Sequence, residues 1–120
     1  MWPVLTTDTF DDWYSKLDEI DRTNVLASMI VLSERGPILA RPYSDTIKSS
    51  EFPNLKELRV QSKGKPIRLF YAFDPLRRAI LLCAGSKVGL EKRFYKIMIS
   101  IADREFRRHM TELHKESKDG

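Results

Sequence analysis

The chain has 120 residues, of which 42% are hydrophobic and 32% are charged, and its formal net charge is +4. This length suits one domain with its own core, and the composition excludes a disordered segment and a membrane-spanning protein. Cys83 is the only cysteine, which excludes an internal disulfide framework and a cysteine-rich zinc site. We therefore expect a single soluble domain over residues 1–120 in a reducing cytoplasm.

Charge is unevenly distributed along the chain. Residues 1–36 carry three basic and seven acidic side chains, residues 37–96 carry thirteen basic and five acidic ones, and residues 97–120 carry five of each. A basic middle segment favours a surface that binds a polyanion, because summed positive charge attracts phosphates. An ordinary solvated surface of lysine and arginine is the alternative.

The N-terminal third predicts two helices. Apolar residues over 10–20 recur at helical spacing, and a second helix, capped by Asp21, ends at Gly36-Pro37. A short apolar start over residues 3–6 fits an edge strand beside a sheet. We expect the two helices to form a hairpin.

A loop and three strands follow. Residues 38–53 predict a loop with one helical turn near 45–48, because the periodicity fails there. Residues 55–61 and 67–73 alternate between apolar and polar side chains, and residues 79–84 form a continuous apolar run that indicates a central strand. Turns are predicted at Ser62–Lys65, at Asp74-Pro75 and, with two glycines freeing the backbone, at Gly85–Gly89.

The last segment predicts a helix whose apolar stripe runs from Leu90 to Leu113, with a polar end that frays after His114. The order is therefore helix, helix, three antiparallel strands, helix. Helices and strands in separate runs indicate an α+β fold with a small, mainly antiparallel sheet.

Metal and nucleotide chemistry find no support in the sequence. His109 and His114 lie about 140° apart around a helix, so they cannot hold one metal ion together and are expected to be surface residues. Gly85 and Gly89 match neither a Walker loop nor a dinucleotide motif. Cys83 lies in an apolar strand and is expected to pack in the core. We predict no metal and no cofactor.

Basic side chains cluster on the predicted sheet and its rim: Lys56, Arg59, Arg68, Lys87, Lys63 and Lys65. Arg59 and Arg68 lie on adjacent strands opposite to the apolar faces, so both point to one open surface, where an anion such as an RNA phosphate would relieve their repulsion. Phe70 and Tyr95 offer rings on which unpaired bases can stack. The alternative is that Glu57 neutralises Arg59 and the cluster is only a solvated sheet face.

Several runs together resemble the HigB-type toxins of the phage-derived Gp49-like family, in the RelE/ParE toxin superfamily. The runs are Phe52–Val60, Ile67–Pro75, Ile80–Leu82 leading into Gly85–Gly89, Phe94-Tyr95 and Ile101–Arg104. The resemblance extends from the helix at Phe10 to Asp103. Relatives often have Gly-Gly-Asp-Lys where this chain has Ala84-Gly85-Ser86-Lys87, so the lysine is kept and the turn differs.

The resemblance implies a RelE-like fold and the toxin of a toxin–antitoxin pair, acting as an mRNA endonuclease on the translating ribosome. It places Lys56, Arg59 and Arg68 at strand positions that hold basic residues in the family, Lys87 at the basic position after the last core strand, and Tyr95 at the aromatic position of the final helix. It also implies a cognate antitoxin, which we expect to be a helix-turn-helix protein, and mRNA and the ribosome as further partners. No membrane partner is expected.

Such a reaction needs no metal, because the 2′-hydroxyl of the RNA attacks the adjacent phosphate. We assign stabilisation of the phosphorane charge to Arg68 with Arg59 and Lys87, and protonation of the leaving oxygen to Arg68 or Lys87. Glu57 is the best-placed carboxylate for a base, while Tyr95 would stack on a base of the RNA. Lys56, Lys63, Lys65 and Phe70 are predicted to bind RNA.

Two other functions fit the same residues. The superfamily includes gyrase-directed toxins that bind protein and cut nothing, in which case the basic face would be incidental. A phage-derived protein that binds nucleic acid without cleaving it is the other alternative. Each function predicts a different assay result, and RNA binding without cleavage in a translating extract would be the signature of the last.

Overall fold

A computed structural model of the chain describes the backbone of residues 1–119 and the side chains of residues 1–117. Its elements are β1 (Val4–Thr6), α1 (Asp8–Ser15), α2 (Glu19–Arg35), β2 (Ser44–Thr46), β3 (Lys56–Ser62), β4 (Lys65–Phe73), β5 (Ala79–Ser86) and α3 (Glu91–Asp119). The five strands form one sheet in the order β1-β5-β4-β3-β2. The α+β class is confirmed, but β1 runs parallel to β5, so the sheet is mixed.

The helical hairpin is confirmed with different boundaries. The Thr7 hydroxyl caps α1 by accepting from the Phe10 N–H, and α1 ends at Ser15 instead of continuing to residue 20. Asp18, and not Asp21, caps α2 by accepting from the Asp21 N–H at 2.9 Å. Asp18 ends the first helical pattern because its side chain satisfies the free N–H groups of the next helix. As predicted, α2 ends at Gly36, which has a φ of +60°.

The prediction for residues 38–53 was wrong in part. The expected helical turn near residues 45–48 is instead the short strand β2, which pairs antiparallel with β3 at Ser44↔Leu58 and Asp45↔Glu57. A three-residue strand carries too little alternation to be recognised in a sequence. This strand matters because it places Asp45 beside Glu57.

The hairpins joining the three long strands are confirmed. Ser62 and Lys65 pair across a two-residue turn in which Lys63 and Gly64 have φ of 51° and 76°, as a type I′ turn requires. At the β4–β5 connection the Arg77 N–H donates to the Asp74 carbonyl at 2.9 Å. Gly85, expected to begin a sharp turn, lies inside β5 instead.

Helices cover both faces of the sheet. On one face α1 and α2 pack on Leu58, Ile67, Leu69 and Tyr71, and on the other α3 packs on Phe70, Ala72, Ile80 and Cys83. Cys83 is buried as predicted, and burial raises the pKa of its thiol to about 12. Helix α3 continues to Asp119, beyond the point after His114 where fraying was expected.

His109 is not the surface histidine that the sequence predicts. Its Nε2 lies 2.9 Å from the Asp74 carboxylate, which also accepts two hydrogen bonds from the Arg78 guanidinium. The Asp74 side chain is completely buried. This cluster fastens α3 to the β4–β5 turn.

Candidate functional site

The strand register places two arginines side by side on the face that α3 covers. Arg59 of β3 is directly opposite Arg68 of β4, and Gly85 of β5 is opposite Arg68 on its other side. Residues paired across antiparallel strands project to the same face, so the shared face of the two arginines is confirmed. That face was predicted to be open, but α3 covers it and packs on its apolar residues. The Arg68 side chain is 11% exposed and that of Arg59 is 34% exposed.

A carboxylate of the chain itself lies between these guanidinium groups. Glu57, two residues before Arg59 and therefore on the same face, is buried, and its Oε2 lies 3.3 Å from both Nε and Nη2 of Arg59. Its Oε1 is 3.7 Å from Arg68 Nε. The first part of the alternative, that Glu57 pairs with Arg59, is thus confirmed, whereas a merely solvated sheet face is not, because Glu57 is buried and Arg68 nearly so.

One donor in this cluster has no partner. Arg68 Nε is buried and makes no hydrogen bond within the part of the chain that the structure describes, since the 3.7 Å to Glu57 is too long. The Arg68 side chain is held instead through Nη1, which donates to the Ile67 carbonyl at 3.1 Å. A buried donor left unpaired is costly, so Arg68 Nε is an exception to the rule that buried polar groups are hydrogen-bonded.

Tyr95, in the second turn of α3, adds a residue from the helix to the cluster of Glu57, Arg59 and Arg68. Its hydroxyl lies 2.6 Å from Glu57 Oε1. Burial raises the pKa of Tyr95 to about 12, and the hydrogen bond to Glu57 and the charge of that carboxylate act in the same direction. The phenol therefore stays protonated at neutral pH, donates to Glu57 and cannot serve as a base.

Lys87 lies at the rim of the cluster, just after β5. Its Nζ is 5.9 Å from the centroid of the Tyr95 ring and 3.3 Å from the Glu91 carboxylate. Its backbone N–H donates to the Pro66 carbonyl at 2.7 Å, which fixes the chain at this point. The lysine thus combines a cation–π contact with an ion pair, and its side chain remains 24% exposed.

Asp45 is a member of the charged cluster that the sequence did not reveal. It lies on β2 opposite Glu57, and its Oδ2 is 3.3 Å from Arg59 Nη2 and 3.0 Å from Arg41 Nε. Partial burial raises the pKa of Asp45, but the hydrogen bonds of Thr46 and Arg41 and the nearby positive charges outweigh this and lower it. No sequence signal identified Asp45, because its strand was expected to be a loop.

Phe70 and Lys56 do not lie where RNA binding would need them. Phe70 shares the face of Arg68, as predicted, but it is completely buried beneath Phe94 and Tyr95 and cannot stack on a base. Lys56 pairs with Tyr71 in the register and so projects to the α1–α2 side of the sheet, opposite to Glu57. Strand alternation fixes the face of a residue but not which helix covers it.

Lys63 and Lys65 are also separate from the cluster. Lys63 forms an ion pair with Asp18, and Lys65 Nζ lies 2.9 Å from the buried Asp21 carboxylate. That carboxylate also accepts from the Ser62 hydroxyl at 2.6 Å. These lysines fasten the β3–β4 hairpin to the start of α2. RNA binding by them stays a prediction.

A groove of about 900 Å³ leads away from Tyr95, Glu57 and Arg59 between α3 and residues 46–49. Ile47 and Ile99, both buried, line its floor. Sequence reasoning missed this groove, although the residues that α3 contributes recur at a spacing of three or four, as expected for one face of a helix.

The chemistry open to this arrangement is that of a phosphate site. Guanidinium groups and an ammonium group are the donors best suited to stabilising charge on a phosphoryl group, and this cluster also holds one carboxylate able to accept a proton. Glu57, Arg59, Arg68, Lys87 and Tyr95 converge as the sequence predicts. Within residues 1–119, no helix is long and apolar enough to cross a membrane.

The chain is similar to known proteins. The family model of phage-derived Gp49-like proteins matches residues 12–107. The chain is 41% identical over 101 residues to a Mycobacterium tuberculosis protein named "Putative toxin HigB2", covering 83% of this chain and half of that protein. It is 37% identical over 111 residues to "Putative toxin HigB3" of the same organism, covering 92% of this chain and 96% of that protein. The chain therefore belongs to the phage-derived Gp49-like family.

Proposed function

We propose that this chain is the toxin of a type II toxin–antitoxin pair and that it arrests translation by cutting mRNA without a metal ion. Two relatives carry the name of HigB toxins. The observation that carries the proposal is the convergence of Arg59 and Arg68 on the buried Glu57 carboxylate, with Lys87 beside the Tyr95 ring. A groove of about 900 Å³ opens beside it.

The reaction we propose is transesterification within the RNA. The 2′-oxygen forms a bond to the adjacent phosphorus, its proton passes to Glu57, and the bond from phosphorus to the 5′-oxygen breaks. Arg59 and Arg68 stabilise the additional negative charge of the phosphorane. The Arg68 guanidinium supports this role because it lies beside Glu57 and its buried Nε has no hydrogen-bond partner among the described residues.

Lys87 is the acid we assign to the leaving 5′-oxygen. An arginine cannot give up a proton in a protein, whereas a lysine ammonium can. Tyr95 is a positioning residue in this mechanism, because its hydroxyl fixes the orientation of the Glu57 carboxylate. The sequence predicts that Tyr95 stacks on a base, whereas its hydrogen bond to Glu57 supports the positioning role.

Dependence on the ribosome is part of the proposal. Glu57 and Asp45 pair with Arg59, so a substrate phosphate must displace existing ion pairs before the arginine can bind it. A message held in position by the ribosome meets a smaller entropic cost than free RNA. We further propose a RelE-like arrangement, action in the cytoplasm and a cognate helix-turn-helix antitoxin.

The test maps the ends of messages in a translating extract supplied with the purified chain, and in naked RNA without ribosomes. We expect new ends only with ribosomes. We expect Arg68→Ala to reduce their rate of formation about 100- to 1,000-fold, as removal of one donor to transition-state charge typically does. Arg22→Ala is the matched control, because Arg22 is an exposed arginine on α2.

Three outcomes would contradict the proposal. Cleavage by Arg68→Ala at the parent rate, with Arg68→Lys and Arg59→Ala also fully active, rejects the assigned roles. Inhibition of gyrase supercoiling without message cleavage identifies a gyrase-directed toxin. Binding of RNA without cleavage in any extract identifies a non-catalytic nucleic-acid-binding protein. Circular dichroism of each variant establishes that it is folded before activity is compared.

A further inference from the structure

The groove beside the candidate site holds three lysines that the proposed chemistry does not use. Lys92 and Lys96 lie on α3, and Lys48 lies on the opposite wall. All three are exposed, and none forms an ion pair with the side chains of residues 1–117. By contrast, Arg59, Arg68 and Lys87 are all paired with carboxylates. These three lysines, which have no carboxylate partner among the described residues, therefore lie along the groove and not at the reacting centre.

The spacing of these lysines suits a phosphate chain. Four residues of helix separate Lys92 from Lys96, which corresponds to a rise of about 6 Å along α3. Like charges at this spacing repel each other unless an anion lies between them. The floor between the two walls is apolar at Ile47 and Ile99, and the Tyr95 ring lies at the end nearest Glu57. An apolar floor between cationic walls fits bases below and phosphates at the rim.

Hydrogen bonds hold the far end of the groove together. There Asp103 of α3 accepts from the Ser50 hydroxyl at 2.5 Å and from the Glu51 N–H at 3.1 Å. These bonds hold the loop that follows β2 against the helix.

We infer that this groove holds the single-stranded stretch of RNA adjoining the scissile phosphate, with Lys48, Lys92 and Lys96 binding successive backbone phosphates. This inference rests on the proposed function and extends it from one phosphate to a strand several nucleotides long. Binding through phosphates is independent of sequence, so these lysines set affinity and not codon choice.

The experiment measures binding of a fluorescent single-stranded RNA whose 2′-hydroxyls are methylated, so that it cannot be cleaved. The variant is Lys48→Ala/Lys92→Ala/Lys96→Ala. The control is Lys16→Ala/Arg22→Ala/Lys115→Ala, which removes the same charge from exposed residues outside the groove. We expect the groove variant to weaken binding about tenfold or more and to reduce the slope of log K against log salt by about 2, as loss of three phosphate contacts requires. The control keeps the parental slope.

Separate readouts distinguish this inference from the proposed cleavage. With cleavable message on ribosomes, the groove variant should raise KM more than it lowers kcat, whereas Arg68→Ala should lower kcat and still bind the methylated RNA. Lysine-dependent binding by a chain that never cleaves RNA contradicts the proposed function alone. Equal affinity and salt slope for groove variant and control overturn the inference. So does loss of antitoxin binding by the groove variant with RNA binding intact, which would assign the groove to an acidic protein segment.

Discussion

The two faces of the central sheet differ in how completely their helices cover them. On the α1–α2 side, the residues of β3 and β4 that point inward are apolar and buried, among them Leu58, Leu69 and Tyr71. On the α3 side the same strands are apolar at Phe70 and Ala72 but carry charges at residues 57, 59 and 68, of which Arg59 stays 34% exposed. Both faces bury an apolar core, but of these two strands only the α3 face also holds a cluster of paired charges.

Two tyrosine hydroxyls show the same contrast on a small scale. The Tyr71 hydroxyl lies 2.6 Å from the buried Ser44 Oγ, joining β4 to β2 on the α1–α2 side. The Tyr95 hydroxyl lies 2.6 Å from Glu57 on the other side. One bond fastens structure to structure, whereas the other orients a charged group, and removing each should affect different properties of the protein.

The largest effect we expect is from breaking the covered face. Leu69→Ala leaves a cavity among completely buried neighbours and should lower the free energy of unfolding by about 2–5 kcal/mol, measured by urea denaturation. Leu76→Ala, in the exposed β4–β5 turn, is the control and should change it by about 0.5 kcal/mol or less. A small effect at Leu69 would show that the α1–α2 side is not the stabilising face.

The tyrosine pair tests the comparison more sharply. Tyr95→Phe removes a hydrogen bond to a charged group, which is worth about 1.5–3 kcal/mol, so we expect message cleavage to fall roughly 10- to 100-fold. Tyr71→Phe removes a neutral hydrogen bond and should cost about 1 kcal/mol of stability with cleavage unchanged. Both are measured by end mapping and urea denaturation. If the two variants lose activity equally, the hydroxyl of Tyr95 has no special role.

The acid dependence of stability reports on the cluster that fastens α3. Burial raises the pKa of Asp74, but hydrogen bonds from Arg78 and His109 outweigh this and lower it below its usual value. The unfolded state then binds more protons than the folded state as the pH falls, so the stabilising effect of Asp74 is lost in acid.

We expect the thermal midpoint of the parent to decrease between about pH 5 and about pH 3, and to decrease less steeply in Asp74→Asn, because the variant lacks the titrating group. Asp12→Asn, at an exposed residue that pairs only with Lys16, should keep the parental slope. Parallel curves for the parent and Asp74→Asn would show that the ion pairs of Asp74 do not favour the folded state.

Much of the fold could be predicted because it follows local rules. Alternation located β3 and β4, a continuous apolar run located β5, and helical spacing located α3. The limits of α1 and α2 could not be predicted. Whether Asp18 or Asp21 caps α2 depends on how the β3–β4 hairpin contacts this helix, since Asp21 binds Ser62 and Lys65 of that hairpin. Strand β2 is defined by its pairing with β3, which no local pattern encodes.

The site was predictable as far as strand alternation extends. It placed Glu57, Arg59 and Arg68 on one face, because successive side chains of a strand point to opposite sides. It did not show that α3 buries Phe70 on that face, nor that Asp45 approaches Arg59 from another strand. Those contacts depend on how distant segments pack, as does the groove that Lys48 and Lys96 share.

The smallest effect we expect tests how closely α3 approaches the sheet beside Arg68. A Cβ added at Gly85 would lie 3.2 Å from a Phe94 ring carbon and 3.6 Å from the end of Met98, so Gly85→Ala should displace the start of α3 by a few tenths of an ångström. We expect a loss of about 1 kcal/mol in stability and a few-fold loss of cleavage, because Tyr95 moves with Phe94. Phe94→Leu in the same chain removes part of the crowded ring, so the double variant should recover cleavage relative to Gly85→Ala. Strictly additive losses in this double-mutant cycle would mean that Gly85 serves the strand and not the approach of the helix.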